Sequence, residues 1–321
     1  MLRALCLWLA GVLSAGSALA GDADIVALLE RAHMAGRRLD YRGEFILQRG
    51  LDVTHTRIVH AGSGSPERER LQSLDGEPRE TLRRGVETLH YLPRQRRIVA
   101  ERRQPELHFP ALPPLMTAQI RRDYLMRSFP GRQVAGRDAI AIALDTRDSF
   151  HYSYRFWFDR ETGLLLRTQT VDEAGEVIEQ VSFRQLVIGR VPASQLTPAH
   201  GSTRGWRIDR SPMQELDLAR WRLGWVPSGF VRVAAVSRRL ISTGGQPRDV
   251  EQLLYSNGLS SLSVFIEPWS PELSLSPLRL GALNMVGKRQ GKFWLTIVGD
   301  VPMLAIRQVA DAIEFAQISP K

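Results

Sequence analysis

Residues 152–159 read Tyr152-Ser153-Tyr154-Arg155-Phe156-Trp157-Phe158-Asp159. Every second position from Tyr152 to Phe158 is aromatic, and Ser153, Arg155 and Asp159 take alternate places. A strand turns successive side chains to opposite faces, so this stretch predicts one strand with an aromatic face and a polar one. Strands of this kind make an antiparallel sheet covered on one side only.

The same period runs outward in both directions. Turn residues 159–163 lead to a strand-like run at 164–171, and the turn 172–175 leads to another at 176–188. There Val181 and Phe183 oppose Gln180, Ser182 and Arg184. Upstream, Tyr41, Phe45 and Leu47 oppose Arg42, Glu44 and Gln48. Further runs at 53–61, 69–74, 79–84, 87–92 and 96–102 are separated by signals such as Asp75-Gly76 and Gly85. Two helices interrupt the meander. Ile25, Leu28, Leu29 and Ala32 recur at helical spacing within 24–36, and Met116, Ile120 and Tyr124 do so after a proline-rich stretch.

The alternation stops at 189–205, where Pro192, Ser194, Thr197, Pro198 and Gly201 mark a linker. Beyond it, 231–237 reads as a strand, and 250–267 as a hairpin turning at Ser256-Asn257-Gly258. Phe293 to Val298 is a continuous apolar run, and Pro302 opens a helix with Ile306, Val309, Ala310 and Ile313 on one face. The expected organisation is an export signal at 1–20, a large β unit at 21–189, a linker at 190–204 and a smaller α+β unit at 205–321.

The signal reading rests on Arg3, the apolar run from Leu5 to Leu13, and the small-x-small site Ala18-Leu19-Ala20. The run is shorter than the roughly 20 residues a spanning helix needs. No later segment is apolar enough to cross a membrane, which predicts a soluble chain once exported. Cleavage removes Cys6, the only cysteine, so the mature chain folds by burying a core and has no thiol chemistry. The formal net charge is +9, and arginine far outnumbers lysine. Export removes nucleic acid from the expected partners. Lipid headgroups, lipopolysaccharide phosphates or an acidic peptide remain, while a solvated arginine surface explains the same composition.

Motifs for catalysis are absent. There is no Gly-x-Ser-x-Gly elbow, no His-Glu-x-x-His, no phosphate loop and no dinucleotide fingerprint. His55 and His60 sit on opposite faces of one strand, and the other five histidines are scattered, so neither a metal nor a cofactor is expected. Two features suit binding. One is an apolar sheet face with Phe45, Leu47, Tyr91, Tyr154, Phe156, Phe158 and Phe183; helices fill it, or it admits an acyl chain or apolar peptide. The other is the basic group Arg94, Arg96, Arg97, Arg102 and Arg103, either an anion patch or a charged edge that blocks strand pairing.

Several stretches, taken in order, resemble the RseB/MucB family. They are 71–80 with Arg84-Gly85, Phe156-Trp157-Phe158-Asp159 with 162–166, Trp225-Val226-Pro227-Ser228-Gly229-Phe230, Leu254-Tyr255-Ser256-Asn257-Gly258-Leu259, and 296–302. Asn257 stands where the family more often has Asp. The resemblance implies an unclosed β-barrel like that of lipoprotein carriers, plugged by helices, followed by a smaller sheet-and-helix domain. It implies a periplasmic negative regulator of the envelope-stress sigma factor. Such a protein binds the periplasmic part of a membrane-spanning anti-sigma factor, shields it from proteolysis, and is displaced by lipopolysaccharide or lipoprotein acyl chains. A lipid or lipoprotein carrier is the alternative, and homo-oligomerisation is left open. Trp225, Phe230 and Tyr255 read first as core aromatics and second as partner contacts.

Overall fold

The computed structural model describes residues 21–102, 109–112, 117–200, 202–210, 214–216, 221–240 and 248–315. The expected signal at 1–20, Arg103, His108 and the side chain of Arg102 lie outside the described residues. Among the described residues no helix is long and apolar enough to cross a membrane.

Helix α1 (Asp22–Arg38) starts on Asp22 and Asp24 and ends on Arg37 and Arg38, complementing its dipole at both ends. It buries Ile25, Leu29, Ala32 and Ala35 on one stripe. Gly36 lies on that stripe because a Cβ there would come within 2.8 Å of the Ala111 backbone.

The strands that follow are β1 (Asp40–Arg49), β2 (Asp52–Ala61), β3 (Arg68–Ser73), β4 (Glu80–Arg84), β5 (Glu87–Leu92) and β6 (Arg97–Arg102). After α2 (Thr117–Asp123) come β7 (Tyr124–Phe129), β8 (Ala139–Thr146), β9 (Ser153–Asp159), β10 (Leu165–Val171) and β11 (Val177–Ile188). The helical spacing read through Tyr124 therefore stops one residue early, and 124–129 pairs with β8 as a strand. With β12 (Arg207–Arg210), these form one twelve-stranded sheet in the order β12-β6-β5-β4-β3-β2-β1-β11-β10-β9-β8-β7. Strands β7 and β12 are its edges, so the curved sheet does not close.

Strand β12 corrects the expectation that residues from 205 onward belong to the second unit, because it pairs in parallel with β6 of the first sheet. The linker before it is also packed. Val191 and Leu196 bury against Val59 and Ala61, and Trp206 meets Tyr91 edge-on at 6.4 Å. The sheet is thus covered on its convex face here, not on one side only.

The second sheet runs β13-β15-β16-β17-β20-β19-β18. Its elements are β13 (Gln214–Glu215), β15 (Val231–Leu240), β16 (Arg248–Ser256), β17 (Ser261–Pro268), β18 (Leu278–Leu280), β19 (Leu283–Gln290) and β20 (Phe293–Gly299). Helix α3 (Met303–Ala312) lays Ala305, Ile306, Val309 and Ala310 over Leu262, Val264, Leu295 and Ile297. A separate pair, β14 (Trp221–Leu223) and β21 (Ile313–Phe315), closes the end of this core. The hairpin expected at Asn257-Gly258 is present, with a longer connection. Asn257 Oδ1 accepts the Leu259 and Ser260 amides at 2.9 and 2.8 Å, and Gly258 takes φ 88°.

The concave face of β3–β4 carries an ion pair between Glu69 and Arg83, both under a tenth exposed. Removing one partner leaves a buried charge alone, whereas removing both leaves an apolar pair. Glu69→Ala is expected to lower stability by about 3–5 kcal/mol, and Glu69→Leu with Arg83→Met by much less. Urea unfolding of the two variants checks the difference.

Candidate functional site

The register of the first sheet builds the site row by row. Leu47 lies opposite Val181, Val181 opposite Thr168, Thr168 opposite Phe156 and Phe156 opposite Ile142. The neighbouring row carries Arg49, Glu179, Thr170, Tyr154 and Leu144 across the same strands. Cross-strand neighbours on one face lie within contact, so these rows form a continuous apolar floor with one polar end. Phe158 and Phe183 extend the floor, and both are buried. Phe45 meets Phe109 at 5.2 Å and Phe183 at 6.1 Å.

Six of the seven expected face residues therefore share one side. Tyr91 does not. Its row runs through Glu80, Gln72 and Arg57 to Glu44, next to Phe45 and so on the opposite face. Tyr91 is buried there because the linker covers it.

The floor is covered by four separate pieces of chain. Ile25, Leu29 and Ala32 of α1, Ile120 of α2, and Leu112 pack onto Ile142, Tyr154, Phe156 and Phe158. The fourth piece comes from the second domain, where Leu259 at the β16–β17 tip and Ala282 before β19 belong to the same apolar core. Tyr154 Oη and Ser260 Oγ hydrogen-bond at that tip. Asn284 Nδ2 donates to Tyr152 Oη at 2.8 Å, and His151 Nε2 donates to the Ser228 carbonyl at 2.9 Å.

A cavity of about 300 Å³ remains between floor and cover, lined by Phe109, Leu112, Tyr154, Phe156, Leu259 and Asp300 among others. At its polar end Arg49 Nε donates to Glu179 Oε2 at 2.7 Å. Asp300 is half-buried, and Ser261 gives it two hydrogen bonds, from N at 2.7 Å and from Oγ at 2.9 Å. Burial pushes the Asp300 carboxyl up to about 6, against the pull of the Ser261 bonds and with a small push from Glu179. Burial likewise pushes the Tyr154 hydroxyl well above its ordinary range. The arrangement offers a narrow apolar slot with a polar mouth, suited to holding an alkyl chain.

Among the described residues the basic group does not form one patch. Arg94 and Arg96 are exposed on the turn between β5 and β6. Arg97 points to the concave face and pairs with Asp209 of β12. Phe230 is buried in the second core and lies 6.0 Å from His151, so it is an interior residue, not an available partner contact. Trp225 packs edge-on against Phe150 at 5.0 Å across the domain junction, and Tyr255 is half-buried against the second core. Sequence reasoning missed Leu259, Ala282, Asp300 and the Arg49–Glu179 pair. The Asn257-Gly258 turn marks a tip, but nothing local says what the tip touches.

A two-domain, open-barrel protein with an apolar slot sealed by its own second domain is a binding protein. Comparison with known proteins places it further. Residues 24–200 match the MucB/RseB N-terminal domain and residues 215–314 the MucB/RseB C-terminal domain. The chain belongs to the MucB/RseB family. It is 30% identical over 300 residues to the sigma factor AlgU regulatory protein MucB of Pseudomonas aeruginosa, covering 91% of each chain. It is 28% identical to the sigma-E factor regulatory protein RseB of Escherichia coli K12, covering 90% of each. The crystal structure of MucB in complex with MucA(peri) superposes with a TM-score of 0.68 at 29% identity, over 90% of this chain and 98% of that one. MucB alone gives the same TM-score at 26% identity, over 92% of this chain and 98% of that one.

Asp300 makes stability pH-dependent. Its folded value, about 6, lies above its ordinary 3.8, so the folded state holds the proton more tightly than the unfolded chain. The contribution is fully present below the ordinary value and is lost as pH rises through 6. The wild type is expected to lose up to about 3 kcal/mol relative to Asp300→Asn between these limits. Urea titrations of both proteins across that range check it.

Proposed function

We propose that this chain is a periplasmic negative regulator of a sigma-E-type envelope stress response. Its partner is the periplasmic domain of a transmembrane anti-sigma factor, which it shields from regulated proteolysis. The observation that supports this reading best is the end-to-end relation to sigma factor regulatory proteins, together with a solved MucB–MucA(peri) complex of the same two-domain fold. Residues 1–20 serve as the cleaved export signal, which puts the mature chain in the periplasm. The chain acts by binding and not by catalysis.

Release on lipid binding follows from the way the slot is closed. Leu259 occupies the floor that an acyl chain would cover, and its side chain is buried there. An entering chain therefore favours a state in which the second domain has shifted. A ligand moves an equilibrium only through its different affinity for the two states, and competition with Leu259 supplies that difference. A carrier role uses the same slot, but a carrier whose second domain plugs its cargo site would have to open before loading. That argues for regulation over transport.

The mature protein is expected to co-purify with the periplasmic domain of the anti-sigma factor encoded beside its sigma factor, and lipid A is expected to dissociate the complex. Absence of a complex sinks the regulator reading, and a complex indifferent to lipid A sinks the sensing step. Leu259→Ala is expected to lower the lipid A concentration needed for release several-fold while costing about 2–3 kcal/mol of folding stability. Competition binding and urea unfolding measure the two effects separately.

A further inference from the structure

Six exposed aliphatic side chains lie at one end of the open barrel. Leu51 is fully exposed at the β1–β2 turn, and Val53 follows it on β2. Leu74 lies on the β3–β4 turn and Val177 begins β11 just after the β10–β11 turn, and both are exposed. Leu278 and Leu280 on β18 bring the second domain to the same rim. The junction is close: a Cβ on Gly281 would come within 3.0 Å of Arg49 Cγ and 3.2 Å of the Ile178 carbonyl. Arg279 also pairs with Asp172 at 3.3 Å. Gly50 and Val177 line one shallow depression between the two tips.

Turn tips are ordinarily polar, and exposed apolar groups gathered at one rim mark a contact surface. Arg49 and Glu179, which form the polar end of the slot, lie directly behind these tips. We infer that this rim docks on a phospholipid bilayer, its aliphatic tips entering the headgroup–acyl boundary beside the mouth of the slot. The inference rests on the slot holding an acyl chain, and it adds the route by which the chain reaches it. A bilayer suits the rim better than a folded partner does. The tips project from four separate hairpins, and a fluid layer receives separated apolar groups with no matching seats.

These turns and the neighbouring β5–β6 turn carry exposed Asp52, Glu77, Glu173 and Glu176 beside exposed Arg79, Arg94 and Arg96. Charge at the rim is mixed, so the chain's net positive charge is not what holds it to the surface. Docking is apolar, and salt leaves it largely intact.

The test is co-sedimentation of the mature chain with phosphatidylcholine vesicles at low and high salt. Leu51→Asp combined with Leu278→Asp places charges on two tips without touching either core. Val86→Asp, at an exposed turn on the opposite end of the barrel, is the control. The wild type and Val86→Asp are expected to bind at both salt levels, and the double variant roughly tenfold more weakly or worse. The proposal fails if the wild type ignores the vesicles, if the double variant binds equally well, or if salt abolishes binding. It also fails if the double substitution removes only self-association, measured by sedimentation velocity without vesicles. Capture of the anti-sigma domain in the same samples reports on the regulator reading separately, because the rim substitutions leave Leu259 in place.

Discussion

The structure depends on hiding one aromatic face. Tyr154, Phe156 and Phe158 stand two residues apart along β9, with Ile142, Leu144 and Leu165 beside them, and all six are buried. Each large side chain contributes about 1.5–3 kcal/mol when withdrawn from water. A helix with its side chains is roughly 10 Å across, whereas strands sit about 4.8 Å apart, so one helix covers only two or three of them. The face is therefore shared among α1, α2, the chain around Leu112, and the tip at Leu259. Because the last piece belongs to the other domain, the slot is closed as it is only while the two domains keep this placement.

This division explains which parts were legible in the sequence. Alternation runs along most of β1, β9 and β11, broken at Ile46, Trp157 and Val187, and each strand's apolar side shows which residues travel together. Alternation within a strand does not say which side faces inward; that depends on register with its neighbours. Leu89 and Tyr91 make the apolar side of β5, yet Tyr91 turns outward because Trp206 covers the convex surface there. Phe230 was ambiguous for a related reason. An aromatic in a Pro-Ser-Gly-Phe turn suits a core or a contact equally, and only packing against His151 and the second core decides.

Strand β12 shows a different limit. Four residues, Arg207-Ile208-Asp209-Arg210, carry no decisive period, and Ile208 is exposed. What fixes them is a parallel ladder to β6 and the pairing of Asp209 with Arg97 and Arg207. Burial alone would raise the Asp209 carboxyl, but the hydrogen bonds and charges of Arg97 and Arg207 outweigh that cost and hold it below its ordinary range. The residues that continue from the linker are thereby fastened to the first sheet, which shortens the free connection between the domains.

The concave surface is divided by chemistry, and the division limits what the slot can hold. From β7 to β11 it is aromatic and aliphatic, whereas from β3 to β6 it carries Glu69 with Arg83, Thr81 with His90, and Glu101 with Arg238 of the second domain. These polar groups have partners, so an alkyl chain laid over them would break hydrogen bonds and replace none. The apolar strip remains, and its length is set by Phe158 at one end and by Arg49 and Glu179 at the other. Along that strip an incoming chain, as proposed above, would compete with the Leu259 tip for the same surface. Competition at a shared surface couples ligand and domain position without any path of intermediate residues. That is the simplest device by which an apolar signal could reach a partner bound elsewhere on the protein.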